Sequence, residues 1–426
     1  MLRSLVAYPR GAGADVRWAV ISPPPRVDEF FAVTKRIHNM LHGYPGDGLG
    51  LGLEAREVYR AALEPSALEL RALVRPGDVV ILHDPQTAGL VPALRAAGLG
   101  VIWRWHVGAD DPNGEAHAVW DFLRPFVEEA DRYVCSRPAH VWAGLDRGRM
   151  LIVPPSIDAF SAKNQDLSRD QVYAILRAAG AIAGTPACAP TLIREDGSIG
   201  RVERAVQMLG TAAIDPAAPL ATQVSRWDAL KDSLGVLEGF VRHVLPAVPD
   251  AQLALVGPET AAVADDPEGA RVLTDCHEAW RACPAAARER VALVCLPMSD
   301  LQENAVIVNA IQRHSTVVVQ NSLAEGFGLT VLEAMWKSRP VIASRVGGIA
   351  DQIVSGDSGV LVQDPADLRE FGDAVSTIVR CPAVAARIAQ RARETVADRF
   401  LATRSLAQYA DALAALGPET ALPAAA

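Results

Sequence analysis

The 426-residue sequence has only six cysteines, and no two of them form a C-x-x-C pair. Scattered cysteines are typical of buried thiols and argue against a disulfide framework or a zinc site. No apolar run approaches the roughly 20 residues that a membrane-spanning helix needs. The N-terminal stretch Leu2–Tyr8 is too short and too interrupted for a signal peptide. We therefore expect a cytoplasmic protein that has no membrane partner.

The sequence also lacks the short motifs that usually mark a phosphate or metal site. It contains no G-x-G-x-x-G, no Walker loop, no H-E-x-x-H and no D-x-D at a predicted strand end. The formal net charge of −9 argues against nonspecific binding to nucleic acid. We therefore expect no essential metal, no tightly bound cofactor and no nucleic-acid partner.

Short apolar runs alternate with amphipathic, helical stretches along most of the chain. Val79–Leu82 is a continuous apolar run, typical of a parallel strand that is buried on both faces. Val16–Ile21 alternates as a strand does, and the strand–helix alternation restarts at Ala221–Ser225, after the proline-bearing segment Asp215–Leu220. The pattern predicts an α/β protein of two Rossmann-like, doubly wound domains that face each other across a cleft. Such a cleft is the default binding site.

The predicted division places the domain boundary in the proline-bearing segment. It gives an N-terminal domain over 1–214, a C-terminal domain over 215–400, a C-terminal helix over 401–416 that crosses back to the first domain, and a disordered tail over 417–426.

An acidic, glycine-bearing turn follows the predicted strand Thr316–Gln320 and precedes the helical pattern Leu329–Trp336. Ligands bind at such strand-to-helix junctions in open α/β sheets. Gly326 and Gly328 allow a ligand to approach the backbone, and the start of a helix favours an anion such as phosphate.

Glu325 and Glu333 lie on either side of this turn with seven residues between them. A carboxylate does not hold a phosphate, so the two glutamates are expected to bind hydroxyl groups of a sugar or a ribose. The alternative is a capped helix with a solvated glutamate at each end.

Two cations, Arg226 and Lys231, follow the predicted strand Ala221–Ser225. A guanidinium and an ammonium together suit a diphosphate, since one makes forked contacts and the other acts as a point charge. The alternative is a pair of surface ion pairs with Asp228 and Asp232.

His83, Asp84 and His106 end two strands of the first domain, where polar side chains point into the predicted cleft. The alternative is that the histidines are structural and have satisfied hydrogen bonds.

These residues together resemble a known group. The Glu325…Glu333 pair, the Arg226/Lys231 pair and Gly347-Gly348 are similar to retaining glycosyltransferases of family 4 with the GT-B fold. Further matches resemble the glycosyltransferring trehalose synthases, over the range from about Phe30 to Tyr409. They are His83-Asp84-Pro85-Gln86, Trp103-Arg104-Trp105-His106, Asp111-Pro112-Asn113, Pro154-Pro155-Ser156-Ile157-Asp158, Lys163-Asn164, Gln223–Asp228 with Lys231-Asp232, and Asn309–Arg313.

The resemblance implies a transfer of glucose from a nucleotide-activated glucose, with ADP or UDP as the nucleotide, to free glucose. The product would be α,α-trehalose. No residue clearly supplies a carboxylate on the far face of the sugar, and the family is thought to use a front-face route, in which the leaving phosphate accepts the proton. Trehalose phosphorylases share much of the pattern and remain an alternative.

The resemblance also implies a role for each matching residue. It implies that Arg226, Lys231, Glu325 and His106 are catalytic: Arg226 and Lys231 bind the diphosphate and stabilise it as it leaves, and His106 contacts the donor sugar near the reacting carbon. The donor binds to Glu325 with Gly326, Phe327, Gly328, Leu329 and Thr330 through glucose hydroxyls and phosphate, and to Glu333 through the ribose. His83 and Asp84 bind the acceptor.

One departure from the family concerns the start of the chain. Leu2–Tyr8 matches the end of the family's first helix, so the strand and Gly-Gly loop that usually precede it have no counterpart. The expectations are an upstream start site, a changed acceptor, or a non-catalytic protein that binds sugar nucleotides. A sheet without its early strand has an open edge, which would favour a homodimer.

Overall fold

The computed structural model describes residues 2–11, 13–21, 27–210, 214–260 and 267–416. The chain forms two compact units. The first unit contains Leu2–Pro155 and the C-terminal residues 403–416, and the second unit contains Ser156–Ala402. In the described part of the chain, no helix combines the length and apolar character that crossing a membrane requires.

The first unit is built on a fully parallel sheet with the strand order β1-β2-β3-β4. Its strands are β1 (Val79–His83), β2 (Gly100–Trp105), β3 (Arg132–Cys135) and β4 (Met150–Ile152). Its helices up to this point are α1 (Leu2–Gly11), α2 (Val27–Leu41), α3 (Leu53–Leu73), α4 (Val91–Ala96) and α5 (Gly114–Val127).

Alternation along β2 sends its side chains to opposite faces of the sheet. Trp103 and Trp105 stack on one face with ring centroids 4.7 Å apart, and Trp142 packs against both rings. Ile102 lies on the opposite face and is fully buried there. Both faces are therefore covered, as the continuous apolar runs predict.

The predicted strand at Val16–Ile21 is wrong, because residues 14–21 have no regular secondary structure and no strand pairing. Trp18 and Val20 are 47% and 74% exposed, and of the apolar residues here only Ile21 packs against the core. Alternation predicts which faces a strand would show, but a strand also needs a neighbouring strand to bond with.

The second unit contains a seven-stranded sheet with the order β13-β12-β11-β8-β9-β10-β7 and a separate hairpin, β5-β6. Six strands of the sheet are parallel, and β7 runs antiparallel to β10 at one edge. The strands are β5 (Thr191–Ile193), β6 (Ile199–Arg201), β7 (Gln207–Leu209), β8 (Leu220–Val224), β9 (Gln252–Pro258), β10 (Val291–Leu296), β11 (Val317–Gln320), β12 (Val341–Ser344) and β13 (Val360–Val362).

Helices connect these strands. They are α6 (Arg169–Ala178), α7 (Ser233–Gly239, followed by a π-helical turn at Phe240–Val244), α8 (Pro267–Ala282), α9 (Ala285–Arg288), α10 (Leu301–His314), α11 (Leu329–Trp336), α12 (Ile349–Gln352), α13 (Leu368–Arg380) and α14 (Pro382–Arg399).

The strand order of the second unit reverses between β8 and β11, which are direct neighbours. The chain leaves β8 toward β9 on one side and leaves β11 toward β12 on the other. Open α/β sheets bind ligands outside the carboxyl ends of the strands at such a reversal. The loops after β8 and β11 hold the predicted cations and the predicted glutamate turn.

The structure moves the domain boundary from the predicted 214/215 to 155/156. Residues 156–214 belong to the second unit, because β7 extends its sheet and α6 packs on α10. Asn309 of α10 also donates from Nδ2 to the carbonyl oxygens of Ala162 and Gln165. The proline-bearing segment at 215–220 therefore leads into β8 and does not link domains.

The C-terminal helix α15 (Ala402–Ala414) belongs to the first unit from Thr403 onward, as predicted. Tyr409 and Ala412 of α15 pack with Ile102 and Val134 on the face of the first sheet opposite the tryptophans. The Tyr409 hydroxyl also accepts a hydrogen bond from Nη1 of the buried Arg104. This helix thus covers a sheet face that would otherwise be exposed.

Candidate functional site

The loop after β8 holds Lys231 in a fixed place. The side chain of Asp228 accepts a hydrogen bond from the Leu230 N–H at 2.8 Å, which tightens the turn. Asp232 has a left-handed backbone (φ 50°) and caps α7 by accepting from the Gly235 N–H at 3.0 Å. The buried Gln223 side chain donates from Nε2 to the Lys231 carbonyl at 2.8 Å. The backbone of Lys231 is therefore held on both sides.

The loop after β11 positions Glu325 through a chain of side-chain hydrogen bonds. Thr330 donates from Oγ1 to the Gln320 Oε1 at 3.1 Å, and Gln320 donates from Nε2 to the Ser322 Oγ at 2.9 Å. Ser322 in turn donates to the Glu325 Oε2 at 3.4 Å. Gln320 and Ser322 are buried, so the chain of hydrogen bonds is shielded from water.

The two loops meet at an ion pair. The Lys231 Nζ lies 2.6 Å from the Glu325 Oε2, and the side chains are only 16% and 13% exposed. The Leu323 N–H also donates to the Leu230 carbonyl at 2.8 Å, which joins the loop backbones. The structure thus brings together two of the predicted catalytic residues, at the reversal in strand order.

Arg226 lies on the same loop as Lys231 but is solvated. Its side chain is 69% exposed, and its Nη2 lies 3.1 Å from the Asp228 Oδ2. For Arg226 the structure therefore shows the surface ion pair that the sequence left as an alternative. Asp232, the other expected partner, instead caps α7, and burial raises its pKa.

Gly347 and Gly348 support the Glu325 turn from the neighbouring loop, after β12. A Cβ atom at Gly347, where φ is +49°, would lie 1.6 Å from the Glu325 carbonyl oxygen. The Gly348 N–H donates to the Gly326 carbonyl at 3.1 Å. Only glycine allows this approach of one backbone to another.

The predicted donor-binding residues of the turn do different structural work. Gly328 has φ +84° and is the N-cap residue directly before α11, and Thr330 supports the hydrogen-bond chain to Glu325. The Phe327 ring is buried against Phe400, with centroids 6.0 Å apart, and its carbonyl accepts from Gln352. The Phe327 side chain therefore belongs to the core, and only its backbone faces the turn.

Glu333 lies on α11, eight positions after Glu325 in the sequence. It is not solvated as a surface glutamate would be. Its side chain is 7% exposed, and its Oε2 lies 2.9 Å from the Lys163 Nζ. Lys337, one turn along α11, is fully buried and donates to the Glu333 carbonyl and to the Asn164 Oδ1, both at 3.1 Å. Burial lowers the pKa of Lys337 to about 7. No local pattern joins residues 163 and 164 to this helix, because Asn164 and Lys337 are 173 positions apart.

His106 and Asp84 form a closed hydrogen-bonded cluster in the first unit. Asp84 Oδ1 accepts from the His106 backbone N–H at 3.0 Å and lies 2.8 Å from the His106 Nδ1. Arg104 donates from Nε to the His106 Nε2 at 2.8 Å. Because arginine is only a donor, Nε2 must accept, and the ring proton lies on Nδ1 toward Asp84. Both ring nitrogens are thus engaged, which argues against His106 as a proton-transfer group.

Asp84 has an unusual backbone, with φ 64° and ψ 171°, a region that is essentially restricted to glycine. Burial acts to raise the pKa of its carboxyl, but the hydrogen bonds from His106 outweigh it, and the pKa lies below the ordinary value. Such strain persists at functional sites where the surrounding structure fixes the residue.

His83 stacks on the His106 ring with centroids 5.7 Å apart. Burial lowers the pKa of His83 to about 4, so the ring is neutral near pH 7. Its Nδ1 is buried and has no hydrogen-bond partner among the described residues. A buried polar atom of this kind calls for a partner, and a sugar hydroxyl would serve as one.

The described residues contain no group of three or more His, Cys, Asp or Glu side chains arranged to hold a metal ion. In the second unit, Lys231 and Arg226 carry positive charge in the loop after β8.

Comparison with protein families gives two matches. Residues 1–142 match the family described as "Trehalose synthase, N-terminal domain", and residues 302–395 match "Glycosyl transferases group 1". The matched ranges include the Asp84 cluster and the Glu325 turn.

Full-length relatives agree with these matches. The chain is 35% identical to a trehalose synthase of Pyrococcus horikoshii over 98% of this chain and 86% of that protein. It is 32% identical to a trehalose synthase of Rubrobacter xylanophilus over 95% of this chain and 84% of that protein. A trehalose phosphorylase of Pleurotus pulmonarius is 26% identical over 85% of this chain, which spans 48% of that longer protein.

Solved structures confirm the fold. An α,α-trehalose-phosphate synthase (UDP-forming) from Burkholderia vietnamiensis matches with a TM-score of 0.65 at 17% identity, covering 91% of this chain and 83% of the other. A sucrose-phosphate synthase from Thermosynechococcus elongatus matches with a TM-score of 0.60 at 18% identity, covering 85% of this chain and 78% of the other. From these relatives and its own architecture, the chain belongs to the trehalose synthase family of glycosyltransferases and has the GT-B fold.

Proposed function

We propose that this glycosyltransferase moves glucose from a nucleoside-diphosphate glucose to free glucose and forms α,α-trehalose. The observation that carries the proposal is the partly buried Lys231–Glu325 ion pair at the reversal in strand order. A cation and a hydroxyl-binding carboxylate in contact suit the junction of a sugar and a diphosphate. The names of the full-length relatives supply the sugar and the product.

In this proposal the diphosphate binds to the cations of the loop after β8. Lys231 carries the larger share, because its ammonium is shielded from water and charge–charge attraction is stronger where water is excluded. Arg226, which is 69% exposed, adds a screened contact.

The sugar and the nucleoside bind to the turn after β11. Glu325 accepts hydrogen bonds from glucose hydroxyls, and the backbone of Gly326–Leu329 approaches the sugar and phosphate. Glu333 accepts from the ribose hydroxyls. The hydrogen-bond chain from Thr330 to Ser322 aims the Glu325 carboxylate before the substrate arrives, which lowers the entropic cost of the reaction.

The first unit supplies polar groups for the sugars. His83 has a buried Nδ1 that needs a partner, and it lies beside the Asp84–His106 pair. We assign His83 and Asp84 to the acceptor glucose and His106 to the donor sugar. Because both His106 ring nitrogens are engaged, it would contribute the shape of the site and not proton transfer.

The proposed reaction keeps the configuration of the glucose carbon. The acceptor hydroxyl oxygen forms a bond to C1 of the donor glucose from the face that the diphosphate leaves, and the C1–O bond to phosphate breaks. The proton of that hydroxyl passes to the departing phosphate oxygen. Lys231 stabilises the negative charge that develops on the diphosphate, so catalysis rests on positioning and electrostatics.

The experiment is direct. Purified protein is incubated with glucose and either ADP-glucose or UDP-glucose, and released nucleotide and α,α-trehalose are measured. Equal amounts of the two products support the proposal. Cleavage of trehalose that requires phosphate and no nucleotide would instead identify a phosphorylase. Calorimetric binding of the donor without any product would identify a non-catalytic sugar-nucleotide-binding protein.

The site assignment predicts the behaviour of two variants. Glu325→Ala and Lys231→Ala should each lower kcat by about a hundredfold or more, since each removes a charge next to the reacting bonds. Circular dichroism and thermal unfolding check that the fold survives. Near-normal turnover in both variants would refute the assignment even if the wild-type protein makes trehalose.

A further inference from the structure

Lys163 lies on a short segment of irregular backbone, far from α11 in sequence, yet it contacts the buried Glu333. The two charged atoms, Nζ and Oε2, are 2.9 Å apart. The Lys163 side chain is 33% exposed, while Glu333 is 7% exposed. The lysine therefore stands between a buried carboxylate and solvent.

The segment that carries Lys163 is held by hydrogen bonds to its backbone. Asn309 donates to the Ala162 and Gln165 carbonyls at 3.1 and 2.9 Å. Trp336 donates from Nε1 to the Asn164 carbonyl at 3.1 Å. These donors come from two different helices, α10 and α11.

Arg313 adds a further bond to the Gln165 carbonyl at 3.0 Å, and Lys337 donates to the Asn164 Oδ1 at 3.1 Å. Irregular backbone that is fixed so thoroughly presents its side chains in one geometry. Lys163 is thus held in position relative to α11.

The Glu333 Oε2 still has hydrogen-bonding capacity. The Lys163 ammonium is at ion-pair distance, but the angles are not those of a hydrogen bond, and Oε2 has no hydrogen-bond donor among the described residues. A buried carboxylate oxygen in this state calls for a donor. A ribose hydroxyl would supply one while the ammonium stays beside it.

We propose that Lys163 is a second binding residue for the nucleoside part of the donor, acting together with Glu333. The inference rests on the proposed function, in which Glu333 binds the ribose. Lys163 holds the carboxylate in place through the 2.9 Å contact, and its remaining N–H groups would be available to the ribose oxygens. The substrate class is a ribonucleoside diphosphate, and the ribose hydroxyls are the groups recognised.

Calorimetry on the full-length protein tests this inference. The probes are ADP and UDP, each compared with its 2′,3′-dideoxy form. For Lys163→Met we expect about tenfold weaker binding of ADP or UDP, the loss of one charge-assisted contact. Binding of the dideoxy probes should change much less, because the hydroxyls are already missing. Lys163→Arg should restore most of the lost affinity.

Lys35→Met is the matched control, since it makes the same substitution at an exposed lysine on α2. Its dissociation constants should equal those of the wild type. Thermal unfolding of each variant shows that the protein tested is folded.

Three results would overturn the inference. One is a Lys163→Met protein that is less stable but binds ADP and UDP as the wild type does, which would show that the Lys163–Glu333 ion pair is purely structural. Another is an equal loss for the ribo and dideoxy probes, and the third is a wild type that binds neither nucleotide. If the wild type binds nucleotide but makes no trehalose, and the Lys163→Met variant binds nucleotide more weakly, the proposed reaction fails while this inference stands.

Discussion

The contact between Gly347 and the Glu325 turn gives a sharp test of how the site is held. We predict that Gly347→Ala disables the enzyme although residue 347 itself lies outside the predicted substrate-binding set. The new Cβ would lie 1.6 Å from the Glu325 carbonyl oxygen, whereas real Cβ contacts do not fall below 3.0 Å. The Glu325 turn, or the loop after β12, must therefore move by at least about 1.4 Å.

The size of that movement sets the expected loss. The Lys231–Glu325 ion pair is 2.6 Å long, and a shift of more than 1 Å takes it beyond hydrogen-bond range. Misplacement of a catalytic group by about 1 Å can cost about a hundredfold in rate. We therefore expect kcat to fall by about two orders of magnitude. Alanine at φ +49° also costs about 1–2 kcal/mol of folding stability in backbone strain.

Gly356→Ala separates these two effects. Gly356 lies in the same unit and has φ +82°, but a Cβ there meets nothing within 4 Å. This control should lose about 1–2 kcal/mol of stability and keep its turnover. The assays are urea unfolding and trehalose formation at saturating substrate. Equal turnover for Gly347→Ala and Gly356→Ala would refute the reasoning, because it would mean that the turn tolerates the displacement.

Two further predictions concern buried polar groups. Burial lowers the pKa of Lys337 to about 7 from an ordinary value of 10.5, so the unfolded chain binds a proton between these pH values that the folded chain does not. When the pH is raised from 7.5 to 9.5, the free energy of unfolding of the wild type should therefore increase by about 2–3 kcal/mol more than that of Lys337→Met, as measured by urea unfolding. An equal pH response in both proteins would contradict this prediction. Tyr409→Phe should cost about 1–3 kcal/mol of stability, because it leaves an N–H of the buried Arg104 without an acceptor. Unchanged urea unfolding of that variant would show that another group takes over the hydrogen bond.

The positions of most strands followed from the sequence, and the reason is local. Continuous apolar runs are typical of parallel strands, so Val79–Leu82 was recognisable and forms most of β1, but β1 ends the strand order of its sheet and is only partly buried. The failure at Val16–Ile21 has the opposite cause, since a strand needs a partner that no local pattern supplies. The shifted domain boundary has the same origin, because the attachment of residues 156–214 depends on contacts with α10 and β10.

The candidate site was also only partly readable. Glu325 and Lys231 follow strands that are neighbours at a reversal in strand order, and general rules for α/β sheets place such residues at one edge. Their 2.6 Å contact agrees with that placement. The solvated state of Arg226 and the engaged ring of His106 were open alternatives from the sequence, because each depends on the side chains around it.

The sequence by itself determined the class of fold, the family and the strand ends that carry polar residues. These properties depend on short apolar runs and on motifs of neighbouring residues. The tertiary structure alone decided that Lys163 meets Glu333, that Tyr409 meets Arg104 across 305 positions, and that Gly347 supports the Glu325 turn. Such contacts form only when distant segments pack, and packing depends on the whole chain and not on any one stretch of it.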